Sequence, residues 1–584
     1  MPNLLAISFE GELAPSFDLV CLHEGGKLPD GWGIGFYPGG EPSASVLKEP
    51  APPEGSIRSE LVRAWEHLAS SVFLLHIRNA TWGRISDANT QPFCRSWARR
   101  DWLFAHSGSL KYRLEIGTRA GFEPVGSTDT ELIFCELLGR IADLGWRSIA
   151  DIDPDMLRLW FETLNDHGSL TTVLSDGQDL VVYADRNGEG SVYLLEIVPP
   201  QENAILSDRD LVVDLFRRGA KSRKGVVIAS EPLETTVTAG GKPAEWKRIE
   251  PGHLVVVRQG ALRAVARPIV LDDAPVKTHT TLVPRVDLKR PATAPMRRMT
   301  VLHKTVYKYK VPIERSTHTF RLEPVSDKLQ KVLSYDLDIN IKGQRRDYED
   351  VFGNRVRRIL IDTPFDELRI ESRARVELLD TDPLSFRPLH ERSQIPLVWM
   401  PWQRHMLQPY LLPPELPDTE LVELTEYAMS FVERNDYDLL DTLLDINSTI
   451  FKEYAYRQGT TNLFTTPFDV YVNRRGVCQD FTNLFICLAR LLGVPARYTC
   501  GYLYTGPKNP NQVQSEASHA WVQLYLPEAG WKGFDPTNGI LTQTDHIRVS
   551  VGRTWIDATP TAGTIYLGGG GETLEVDVRV EVED

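Results

Sequence analysis

Cysteine, histidine and aspartate stand in that order near the end of this 584-residue chain, as Cys478, His519 and Asp535. Together these residue types can break or exchange an amide bond. A thiolate attacks the acyl carbon, an imidazole shares and returns the proton, and a carboxylate holds the ring. The sulfur needs activation, because a free thiol is only a few per cent ionised near neutral pH.

The flanking residues supply elements that could position the three. Residues 475–495 read RGVCQDFTNLFICLARLLGVP. Phe481, Leu484, Phe485, Leu488, Leu491 and Leu492 fall on one helical stripe, which Gly493 and Pro495 end. Cys478 is thereby predicted at the helix start, where unpaired N–H groups and the positive end of the helix dipole favour a thiolate. In SHAWVQLY, residues 518–525, Ala520, Val522 and Leu524 alternate as in a strand, with His519 on the opposite face. Asp535 stands just before Pro536, at a predicted strand end. Cys487 falls in mid-helix and Cys500 in a strand, so both read as core thiols.

At 584 residues the chain is too long for one core and suggests three or four domains. Composition is that of packed globular units, 42% hydrophobic and 25% charged. The formal net charge of −14 argues against a nucleic-acid partner, which needs a basic face. No apolar run approaches a membrane span, and the first residues lack the basic region of a signal peptide. The six cysteines, at 21, 94, 135, 478, 487 and 500, include no CxxC pair and no His/Cys cluster. They therefore suggest no metal or other cofactor, and they fit a reducing, cytoplasmic compartment.

Texture divides the chain. Residues 1–265 mix short apolar runs such as SVFLLHI and DLVVYA with helical pieces, as in a layered domain rich in antiparallel strand. Residues 266–297 are rich in Pro, Thr and Ala and read as a linker. From Met299 strands recur at regular spacing, predicting a small β-sandwich over 298–382. Helices are then expected over about 418–433 and 438–454, and a half-buried strand over 573–582.

The motifs GVCQDF, GVPARYTCGY, ASHAWVQLYLP and GWKGFDPTNG resemble those of the transglutaminase-like superfamily. The segment MRRMTVLHKTVYKYKVPI is similar to the amino-terminal region of bacterial members. The resemblance implies a papain-like catalytic core over 383–584 that works through an acyl-thioester on Cys478. It leaves open whether water or an amine accepts the acyl group. One oxyanion donor is expected to be the Cys478 backbone N–H.

Residues 1–260 resemble class II glutamine amidotransferases, which implies an amino-terminal-nucleophile fold of αββα layers. The matching residues are Asp30–Gly35, His76–Arg78, Asn89–Phe93, Phe104–His106, Gly126–Asp129, Leu174–Gly177 and Ile228–Leu233. Two key positions depart from that family. Pro2 stands where its nucleophilic cysteine would be, and Ser107-Gly108 replaces its Asn-Gly oxyanion pair. The resemblance assigns Arg78 and Asp129 to the carboxylate and amino group of a glutamine-like ligand; structural ion-pair partners are the other reading.

The expected protein is thus multidomain α+β. An amidotransferase-like domain, inactive towards glutamine, precedes a central β-sandwich and a transglutaminase-like cysteine enzyme. Its substrate would be a peptide or protein amide. The alternatives are a scaffold with partner proteins in a peptide-modification pathway and a glutamine-dependent amidotransferase.

Overall fold

The computed structural model describes the chain apart from residues 1–2, 20–27, 41, 66–67, 81–82, 112–120, 202, 217–222, 240–241, 269–295, 380–392, 462–464, 507–517, 528 and 584. Pro2, Cys21 and nearly all of the expected linker lie outside the described residues. Chain contacts divide the protein into two compact units, Met1–Leu288 and Lys289–Asp584.

In the first unit, alternate residues of single strands feed different cores. Leu5, Ile7 and Phe9 of the strand Leu4–Leu13 point to one side of their sheet. Leu4 and Ala6 point to the other, where they meet Leu103, Ala105, Val173 and Val182. Trp102 and Phe104, next to those positions, face the helices Asp129–Asp143 and Pro154–Asn165. Both faces of both sheets are therefore buried, which is why these strands read as nearly continuous apolar runs. One sheet has seven strands, with Leu4–Leu13 between Gly225–Ala229 and Ser70–Arg78. The other has six, with Arg100–Leu110 between Phe93–Trp97 and Gly168–Ser175. Helix covers the six-stranded sheet as expected. The seven-stranded sheet is covered by the short helix Ile57–Ala64 and a four-stranded sheet, whose Phe17, Leu206 and Val213 reach the same core.

The second unit joins a β region to an α/β core. The strand Arg297–Phe320 runs for 24 residues without a break. Its first half pairs with Phe365–Leu378 and Thr573–Glu583. Its second half pairs with Arg355–Ile361 and Thr561–Gly568. The last strands of the chain thus return to the sheet that opens the unit. Thr573–Glu583 alternates as expected but is less covered than predicted: Val578 is buried, whereas Leu574, Val576 and Val582 are exposed. The strand Gln344–Glu349 is polar and exposed throughout, so it carries no apolar alternation that a sequence reading could detect.

The core is a five-stranded antiparallel sheet in the order Ile540–Leu541, Gly530–Asp535, His519–Leu526, Ala496–Leu503, His546–Gly552. Helix Cys478–Leu491 packs Leu484, Phe485 and Leu488 on Ala520, Val522 and Leu524 of the central strand. Helices Asp418–Arg434 and Leu439–Glu453 complete this cluster, near the expected bounds.

His546–Gly552 is an edge strand, and side chains of the β region cover its open backbone. Gln330 accepts from the Arg548 N–H and donates to the Arg548 carbonyl, both at 2.8 Å. Asn354 does the same for Val551, again at 2.8 Å in each direction. Arg548 in turn pairs with both oxygens of Asp327 at 2.7 Å. Two carboxamides thus replace a missing strand and protect an edge that would otherwise recruit one. Asn354→Ala should leave two buried backbone groups unpaired and cost about 1–3 kcal/mol, read as a lower urea midpoint at unchanged slope. An unchanged midpoint would show that water satisfies the edge equally well.

Candidate active site

Cys478 is the first residue of its helix and is partly exposed. The turn before it is clamped by Asp480, whose Oδ2 accepts from the Val477 N–H at 2.8 Å and the Thr461 hydroxyl at 2.7 Å. This is half of a capping box, with the acid three residues into the helix reaching back to the cap. Gly476 lets the clamp close, since a Cβ there would come within 2.8 Å of the Asp480 Cβ.

His519 opens one strand and Asp535 ends its neighbour. The register Val522–Phe534 sets Asp535 across from Trp521, so His519 lies one pleat away on the same face. Its Nε2 is 2.8 Å from Asp535 Oδ2, and both side chains are buried. Cys478 lies close enough to the His519 ring to favour its charged form. With Nε2 facing Asp535, Nδ1 is the ring nitrogen left for a second partner. The three residues singled out in the sequence are brought together.

Asp535 carries more than one partner. Oδ2 also accepts from Asn538 Nδ2 at 2.7 Å and lies 3.1 Å from His546 Nε2. Oδ1 accepts from the backbone N–H groups of Thr537 at 3.0 Å and Asn538 at 3.3 Å. Trp521 packs against both imidazoles, with ring centroids 5.9 Å from His519 and 5.1 Å from His546. Sequence reasoning missed Asn538, Trp521 and His546. Asn538 and Trp521 lie inside quoted motifs, but His546 sits on another strand with no sequence signal.

The electrostatics follow from burial and pairing. Burial alone would push His519 down, but the Asp535 carboxylate, with its hydrogen bond and with Cys478 close by, holds the ring up at about 10. Burial would raise Asp535, yet His519 and His546 hold it well below the usual carboxylate range. The other described cysteines differ from Cys478 in setting. Burial pushes Cys94 up to about 11, and Cys487 and Cys500 up to about 12, and it raises Cys135 as well.

His519, Asp535 and His546 present ligand-type atoms within 4.8 Å of one another, a set that could be read as a metal site. The hydrogen bonds favour another reading. Two rings and the Asn538 amide converge on one carboxylate oxygen, which acts as their common acceptor.

In the first unit, Asp129 begins a helix and accepts from the N–H groups of Leu110 and Thr130, each at 2.9 Å. Ser107 is half-buried and Gly108 exposed, shortly before Leu110 on the same strand. Gly108 has φ +149, and a Cβ there would lie 2.2 Å from the Ser169 carbonyl. Arg78 is buried and donates from Nη2 to the Arg84 carbonyl at 3.3 Å. Asn89 donates to that carbonyl at 2.9 Å and to Ser127 Oγ at 3.3 Å. Asn89 thus links the Arg78 side to the turn before Asp129.

The buried pair has a pH signature. His519 is raised above its ordinary 6.5, so its stabilisation is full below about 6.5 and is lost as pH rises towards 10. Asp535 is depressed below its ordinary 3.8, so its share is present above that value and is lost on acidification. Asp535→Asn should therefore cost about 3–5 kcal/mol near pH 5 to 6, less at pH 9. Urea unfolding at several pH values checks this; a pH-independent deficit would contradict it.

Comparison with known proteins agrees with this division. Residues 1–280 match the class-II glutamine amidotransferases, 299–377 the bacterial transglutaminase-like N-terminal region, and 425–536 the transglutaminase-like superfamily. An uncharacterized protein of Methanocaldococcus jannaschii is 32% identical over 265 residues, covering 45% of this chain and 70% of that protein. YafJ of Escherichia coli, provisionally named a glutamine amidotransferase, is 31% identical over 242 residues, covering 41% of this chain and 89% of YafJ. A solved structure from Cytophaga hutchinsonii, provisionally titled a cysteine protease, aligns with a TM-score of 0.40 at 20% identity, over 50% of this chain and 92% of that one. The chain belongs to the class-II glutamine amidotransferases through its first part, and its second part matches the bacterial transglutaminase-like N-terminal region and the transglutaminase-like superfamily in that order.

Proposed function

We propose that the second unit is a cysteine-dependent amide hydrolase or acyltransferase acting on a peptide or protein amide. The observation that carries this reading is the buried His519–Asp535 pair, set against a partly exposed cysteine at a helix amino terminus. The Cys478 sulfur attacks the amide carbonyl and forms the C–S bond. The oxyanion that develops lies near the Cys478 backbone N–H, one of the unpaired donors of the helix start. His519 Nδ1 gives its proton to the departing amine as the C–N bond breaks. It then takes a proton from water or an incoming amine, which attacks the thioester and releases Cys478. Asp535 keeps the ring oriented and stabilises its cationic form.

The first unit, in this reading, does not hydrolyse glutamine. Pro2 and Ser107 stand where the amidotransferase pattern has its cysteine and its oxyanion asparagine. Losing one oxyanion donor costs on the order of 100-fold or more in rate. Losing the nucleophile removes the covalent route. Arg78 and Asp129, with Ser107 and Gly108, are the residues that would meet a glutamine-like ligand. The five described cysteines are free thiols, which accords with work in the cytoplasm.

Two experiments test the reading. Iodoacetamide should modify Cys478 faster than Cys94, Cys135, Cys487 or Cys500 in the folded protein, by peptide mapping. Cys478→Ala should abolish acyl-enzyme formation without unfolding the chain. Equal rates at Cys478 and Cys487 would sink the assignment. Separately, the unmodified protein should release no ammonia from glutamine, with Pro2→Cys as the comparison; steady release by the unmodified protein would refute the reading of Pro2.

A further inference from the structure

His546 is buried, and each of its ring nitrogens faces a carboxylate. Nε2 lies 3.1 Å from Asp535 Oδ2 and Nδ1 lies 2.8 Å from Asp545 Oδ1. A neutral imidazole donates from one nitrogen only, so both contacts are hydrogen bonds only if the ring is an imidazolium. Among the described residues, Asp535 and Asp545 are the carboxylates that act on its charge. Trp521 packs edge-on, and His519 lies 6.3 Å away between ring centroids. Lys532 and Arg548 line the same cavity, with Arg548 paired to Asp327. The row Asp545, His546, Asp535, His519, Cys478 therefore alternates in sign once the thiol gives up its proton.

We propose that His546 is a positioning residue for the cysteine chemistry: as an imidazolium it fixes the Asp535 carboxylate and weakens that carboxylate's hold on the His519 proton. The inference rests on the proposed role of Cys478 and His519. Its physical reason is a conflict of demands. Asp535 must make His519 cationic enough to sustain a thiolate, yet His519 must surrender a proton to the leaving amine. A second cation on the same oxygen divides the attraction of the carboxylate between two rings. Asp545, partly exposed at 32%, holds that second cation from the other side. Burial would lower His546, but its bonds to Asp535 and Asp545 raise it instead, in keeping with a charged ring.

His546→Gln keeps a donor near Asp535 and removes the charge. A unit charge 6.3 Å from His519 is worth roughly 0.5–2 pH units there, for effective dielectrics between about 80 and 20. The test is the pH dependence of Cys478 alkylation by iodoacetamide in the full-length protein, which needs no substrate. Both limbs of the profile should move to higher pH in H546Q, the alkaline limb by that amount. On the acid limb, alkylation should slow by about threefold or more. A folded H546Q whose profile superimposes on the parent, or moves to lower pH, overturns the proposal. Slow, undifferentiated alkylation of Cys478 in the parent would instead sink the proposed cysteine chemistry. Should H546Q fail to fold, ring nitrogen-15 shifts of the unmodified protein decide: an imidazolium at His546 near pH 7 supports the proposal, and a neutral ring overturns it.

Discussion

A single buried carboxylate organises the second unit. Taking Asp535 out of water is costly unless its charge is matched and its lone pairs are filled. Both conditions are met: two imidazoles, one side-chain amide and two backbone N–H groups surround its oxygens. These partners come from the His519–Leu526 strand, the turn after Asp535 and the His546–Gly552 strand. The carboxylate therefore ties together the part of the sheet against which Cys478 is presented.

The β region supports that arrangement from a distance in sequence. Its Gln330, Asn354 and Asp327 hold the edge strand that begins at His546. Met299, Val301 and Val376 bury Ile547 and Val549 of the same strand, and His303 meets the Tyr502 hydroxyl at 2.7 Å. A region with no candidate catalytic residue thus fixes the position of the second imidazole. This gives a physical reason for the β region to accompany the core.

The chemistry was more legible in the sequence than its support. Cys478, His519 and Asp535 lie in compact motifs whose apolar stripe and alternation announce helix and strand. The bounds of the helices near 418 and 439 were visible for the same reason, as was the layered first unit. His546 was not, because a histidine in a short apolar strand looks like any core or surface residue until the sheet folds. The unbroken run of Arg297–Phe320 was not legible, because Pro312 stands in its middle, where the pairing partners change. The return of the chain's end to this sheet depends on long-range pairing that periodicity does not encode.

The central claim is that Asp535 and His519 make Cys478 an acyl-accepting nucleophile. It is tested most directly by incubating the full-length protein with a thiol-reactive acyl probe, quenching in acid and mapping the adduct by mass spectrometry. The account predicts acylation of Cys478 in the parent and its loss in His519→Ala, with the other cysteines unmodified in both. Acylation of Cys478 at the same rate in His519→Ala, or acylation spread over several cysteines, would contradict it.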